Sequence, residues 1–97
     1  MLTSKQRAQL RGIANGYDTL FQVGKGGINE QFIKQVDDAL EARELIKVSV
    51  LNNNDDDPKD IAVELATALK AEVVAVTGKK IVLYRKSSKK DFKHIVY

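Results

Sequence analysis

Between Leu20 and Glu30 the chain sets side by side the residues whose types and spacing suit one kind of chemistry. These are a short apolar run, the tetrad Gly24-Lys25-Gly26-Gly27, and a helix start at Asn29. Glycines lack a Cβ, so a bulky anion can approach their main-chain N–H groups closely. The helix that follows adds unpaired amides and the positive end of its dipole, and Lys25 adds a full charge. The chemistry is that of holding a phosphate backbone. No reactive side chain is needed for it, which points to binding and not to catalysis.

Such a loop needs a strand before it and a helix after it, and the surrounding pattern supplies both. Thr3 or Ser4 can cap a first helix in which Gln6, Leu10, Ile13, Ala14 and Tyr17 recur on one side, leaving Lys5, Arg7 and Arg11 in solvent. Gly16 is expected to end that helix, and Thr19 to Val23 reads as a short strand. Asn29 caps a second helix with Phe32, Ile33, Val36, Ala39 and Leu40 on its apolar face. Leu45 to Leu51 alternates as a strand with one face in the core: Ile46, Val48 and Val50 inward, Lys47 and Ser49 outward. Asp57-Pro58, with Asp60 three residues on, marks a third helix start of capping-box type, and Ile61, Ala62, Leu65, Ala68 and Leu69 form its buried stripe. Glu72 to Thr77 and Lys80 to Arg85 read as a hairpin around Gly78-Lys79. The order helix-strand-helix-strand-helix-strand-strand predicts an α/β sandwich with a mixed four-stranded sheet, parallel across the helical crossovers and antiparallel in the hairpin. Residues 1–86 form the expected domain. Residues 87–97 form a polar, basic tail, expected to be mobile unless Phe92, Ile95, Val96 and Tyr97 find a groove.

Composition narrows the function classes. The 97 residues have room for one core, and no run of about 18 apolar residues is present to span a bilayer. With no cysteine and a single histidine, His94, the sequence offers no zinc site, no thiol nucleophile and no Ser-His-Asp triad. Without a secretory pattern after Met1, a cytoplasmic location is expected. The net charge of +3 is small, but its distribution is not even. Residues 1–27 carry +3, residues 28–78 carry −6, and residues 79–97 carry +6. If the fold brings both ends to one side, one side of the molecule attracts phosphate and the other repels it.

Four separated stretches resemble the YhbY-like, or CRM domain, family of RNA-binding proteins. They are Leu2 to Arg7, Val23 to Gly27, Ala39 to Val48, and Ile81 to Arg85. The resemblance spans residues 2 to about 86 and implies a fold similar to the C-terminal domain of translation initiation factor three, with a GxxG loop at the RNA-binding edge. It implies a partner in ribosomal RNA, within a precursor of the large ribosomal subunit, and a ribosome assembly role typical of the free-standing bacterial form. Carried over by position, the loop falls on Gly24, Lys25, Gly26 and Gly27, and the family's basic first-helix motif on Lys5, Gln6 and Arg7. Asn15 and Arg43 depart from the pattern, standing where many relatives have histidine.

Arg11, Lys79 and Lys80 join the candidate RNA contacts, the last two because a hairpin turn projects side chains freely. Arg85 suits either a phosphate or an acidic partner. Tyr17, Phe21 and Phe32 fall on core positions, so base stacking has a minor part. Asn53, Asp55 and Asp57 have the spacing of a calcium loop, yet Pro58 replaces the required glycine, which favours a plain loop and helix cap. The expected protein is therefore a monomeric, non-enzymatic RNA binder without cofactor, metal or small-molecule substrate. The alternative is a protein interaction module that uses the acidic second helix. An enzyme such as a nuclease ranks last, because the acidic residues serve as caps and solvent faces.

Overall fold

The computed structural model describes residues 2–97. Three local signals start the helices. The Thr3 hydroxyl accepts the Gln6 N–H at 3.1 Å and the Gln6 carboxamide accepts the Thr3 N–H at 3.0 Å, a reciprocal capping box that opens α1 (Ser4–Ala14). Asn29 Oδ1 accepts the Phe32 N–H at 2.8 Å to open α2 (Glu30–Arg43). Asp57 Oδ1 accepts the Lys59 N–H at 2.9 Å, with Pro58 in the first turn, to open α3 (Pro58–Leu69). Asp60 makes no reciprocal bond back to Asp57; it places a carboxylate in the first turn, where the dipole favours it. The first helix stops at Ala14, capped by Asn15 ahead of Gly16.

The strands are β1 (Phe21–Val23), β2 (Leu45–Val50), β3 (Glu72–Thr77) and β4 (Lys80–Tyr84). Their order across the sheet is β1-β2-β4-β3, with β1 parallel to β2 and the other neighbours antiparallel. The sheet is mixed, as expected. The α2 crossover joins adjacent strands, whereas α3 carries the chain over the place that β4 later fills.

Both faces of the sheet are covered, which the alternation of β2 did not foretell. Ile46, Val48 and Val50 pack with Ile81 and Leu83 under α2 and α3. On the opposite face Leu45, Val82 and Tyr84 pack with Val74 under Leu10 and Ala14 of α1. A bulge between Val73 and Ala75 shifts the β3 register, and Val74 is buried against α1.

The last eleven residues fold back onto the domain. Glu44, fully buried, accepts the N–H groups of Ser87 at 2.7 Å and Ile95 at 2.8 Å, and pairs with His94 Nδ1 at 2.5 Å. Tyr97 meets Tyr84 edge to face, with ring centroids 5.1 Å apart. Ile95 and Tyr97 join the same cluster as Leu2 and α1, so both ends of the chain pack on one face of the sheet.

Candidate nucleic-acid interface

The tetrad is a turn with a fixed root and an open tip. β1 ends at the buried Val23, whose carbonyl accepts the Leu51 N–H at 2.9 Å. The Gly27 N–H donates to the Gly24 carbonyl at 3.0 Å, which closes the turn. That carbonyl also accepts from Asn54 Nδ2 at 2.9 Å, and Asn54 is held in turn by the Asp56 N–H on its Oδ1 at 2.8 Å. Gly27 has φ +70°, a conformation that favours glycine, and a Cβ at Gly26 would meet nothing within 4 Å. Lys25 is exposed at the tip.

The helix behind the loop offers less than expected. Asn29 occupies the Phe32 amide, and Glu30 places a carboxylate in the first turn of α2. Positive charge around the loop therefore comes from lysines and arginines and not chiefly from the helix end.

Those cations gather from other elements. The Ser49–Lys80–Thr77 end of the sheet carries the β3–β4 turn, where the Val50 N–H donates to the Lys79 carbonyl at 2.8 Å. Lys79 Nζ donates to Asn52 Oδ1 at 2.9 Å, two residues from the Asn54 that holds Gly24. Lys80 Nζ reaches Ser49 Oγ at 3.3 Å and Thr19 Oγ1 at 3.4 Å. Arg11 and Asn15, from the second half of α1, line a depression with Lys80 and Thr77. Thus Lys25, Lys79, Lys80 and Arg11 share one end of the molecule. The same end holds Asp55 and Asp56, on the loop that leads to α3.

Other candidates are placed elsewhere. The Leu2 N–H donates to Glu72 Oε1 at 3.2 Å, so α1 begins at the opposite end of the sheet, and Lys5 and Arg7 stand there, exposed. Gln6 is occupied by its capping box. Arg85 resolves in favour of acidic partners. Its guanidinium donates to Asp37 Oδ1 at 2.7 Å, to the Asp37 carbonyl at 3.1 Å and to the Leu69 carbonyl at 2.9 Å, with Glu41 at 3.6 Å. That side chain is a clamp joining β4 to α2 and α3. Asp57, one of the three residues with calcium-loop spacing, is committed to its helix cap.

The aromatic expectation needs one correction. Phe21 and Phe32 pair edge to face, with centroids 5.9 Å apart, half-buried against the core. Tyr17 is 38% exposed and lines a cavity of about 320 Å³ with Asp18, Leu20 and Arg43. It lies beyond the last turn of α1, so the helical periodicity that made it a core residue no longer applies. Sequence reasoning also missed Lys47. Alternation turned its side chain outward, and nothing local in the sequence says that α1 covers that face of β2.

The CRS1 / YhbY (CRM) domain model matches residues 2–85. The chain belongs to the CRM domain family. A Bacillus subtilis protein named "Probable RNA-binding protein YqeI" is 51% identical over 87 residues, covering 90% of this chain and 91% of the relative. A Haemophilus influenzae relative named as an RNA-binding protein is 31% identical over 86 residues, covering 89% and 87% of the two chains. The solution structure of the Staphylococcus aureus protein SAV1595 superposes with a TM-score of 0.79 at 55% identity, over 94% of this chain and 95% of that one. The CRM match ends at Arg85, just before the residues that fold back onto Glu44.

Proposed function

We propose that this CRM domain binds RNA through the backbone of the Gly24–Gly27 turn, with Lys25, Lys79, Lys80 and Arg11 contacting phosphates around it. The observation that carries this reading is the open tip at Gly26 beside an exposed Lys25, on a root pinned by Asn54. The relatives named as RNA-binding proteins support the ligand class. The target is ribosomal RNA in a precursor of the large subunit, which the protein joins in the cytoplasm as a monomeric assembly factor. Binding is the whole of its chemistry. Phosphate and sugar contacts hold the RNA, and its shape and unpaired segments supply selectivity.

Gly26→Asp is the direct test, because the site has room for the side chain and needs no positive φ. It is expected to weaken RNA binding at least tenfold, in the order expected for a charge opposed to phosphate, with an unchanged melting temperature. Lys25→Ala is expected to weaken binding less and to flatten its salt dependence. Co-sedimentation with large-subunit precursors, repeated after nuclease treatment, checks the cellular target. Wild-type binding by Gly26→Asp overturns the loop, and nuclease-resistant association overturns RNA as the ligand.

A further inference from the structure

We infer that the depression between α1 and the sheet, ringed by Arg11, Lys47 and Lys80, is a second anchoring point that takes a backbone phosphate of the bound RNA strand. The inference rests on the RNA-binding reading and adds a site to it.

Lys47 is the decisive residue. Ile46 and Val48 are buried under α2 and α3, so strand alternation turns the Lys47 side chain to the α1 face, where it is half-buried. There it lines a pocket of about 220 Å³ with Arg11, Lys80, Asn15, Thr77 and Val82. No carboxylate lines this pocket. Among the described residues the side chains of Lys47 and Arg11 have neither an ion pair nor a hydrogen bond, and the Lys80 ammonium reaches only two hydroxyl oxygens.

Three converging cations without a counterion repel one another and lose hydration where they are half-buried. Elsewhere this chain neutralises such groups: Arg85 has Asp37 and Glu41, and Glu44 has two amides and His94. An anion removes the imbalance here. Asn15 and Thr77 add neutral donors, and the apolar Val82 gives a floor on which a sugar can rest. The position suits a polymer. Lys80 directly follows Lys79, which is tied to Asn52 in the loop that also secures Gly24, so one strand can pass from Lys25 over Lys79 into the pocket.

The test compares wild type, Lys47→Gln, Lys47→Arg and Lys25→Ala in salt titrations with a short single-stranded RNA. Lys47→Gln is expected to lower affinity about tenfold, the scale of one charged hydrogen bond, and to reduce the salt slope by about 0.7. Lys47→Arg should retain most of the binding. If Lys47→Gln binds like wild type while Lys25→Ala is weakened, the pocket is overturned and the loop stands. If only Lys47→Gln is weakened, the loop is overturned and the pocket stands, and no RNA binding by wild type overturns both. Inorganic phosphate alone supplies the second arm, read by the Lys47 amide resonance. Perturbation equal to that caused by RNA, at equal ionic strength, assigns the pocket to free phosphate and overturns the RNA assignment. Should Lys47→Gln fail to fold, Lys47→Met, which keeps the apolar stem and removes the charge, provides the same comparison.

Discussion

Glu44 shows how much one side chain can organise. Its backbone takes φ 65°, a strained setting for a residue with a Cβ, and its carboxylate is fully buried. Burial pushes the pKa up, but the amides of Ile95 and Ser87, together with His94, outweigh that and hold it below the ordinary carboxylate value. A folded-state pKa below the unfolded one means that the ionised group stabilises the fold above an unfolded pKa of about 4.3. That contribution disappears as pH falls through the folded value. Acidification below about pH 4 is therefore expected to free residues 87–97 before the sheet opens, read as faster amide exchange at Ser87 and Ile95. Glu44→Gln should cost about 2 kcal/mol and flatten the acid limb of the stability curve. An unaltered acid limb would show that another group governs the tail. None of this was visible in the sequence, because His94 and Ile95 lie 50 and 51 positions from the carboxylate they serve. Arg85 was ambiguous for the same reason, its partner Asp37 being 48 positions away. The loop was legible because its glycines, its lysine and its following cap are neighbours in the chain.

At the level of elements, beginnings were easier to read than ends. Thr3, Asn29 and Asp57 each cap through a donor within three residues, so the signal is local. The ends depend on tertiary demands: α2 closes on Glu44 and α3 on Lys70, both with positive φ, where glycine is the usual marker. Lys70 sits at φ 55° and ψ 42°, is exposed, and uses only its backbone N–H to cap the Ala66 carbonyl. Lys70→Gly should therefore stabilise the protein by about 0.5–1 kcal/mol, seen as a higher denaturant midpoint at unchanged slope. A lower midpoint would mean that the lysine contributes more than its backbone shape costs. Strand positions were likewise legible from alternation, but the order β1-β2-β4-β3 and the bulge at Val73/Ala75 were not. Period-two patterning says which way a residue points and not which strand lies beside it.

Over the whole molecule, charge is unevenly placed. Lys25, Lys79, Lys80 and Arg11 stand at one end, while Asp37, Asp38, Glu41, Asp60 and Glu64 belong to α2 and α3, where Arg85 and Lys86 join them. The four phosphate contacts proposed for Lys25, Lys79, Lys80 and Arg11 give an expected slope of about −3 for log K against log salt with single-stranded RNA, and Lys47 brings it to about −3.5. A slope near zero would remove the electrostatic basis of the interface. The charge asymmetry was legible in the sequence as three blocks, but the blocks divide in space: Arg85 turns to Asp37 and Glu41, and Lys5 and Arg7 stand at the opposite end of the sheet from Lys79 and Lys80.

The topology has a consequence for how the protein is made. β4 is the last strand in the chain, yet it lies between β2 and β3 and hydrogen-bonds to both. Until Lys80–Tyr84 has left the ribosome, the earlier strands have no common partner and both hydrophobic layers are incomplete. Closure of the sheet and of both layers thus waits on this one strand.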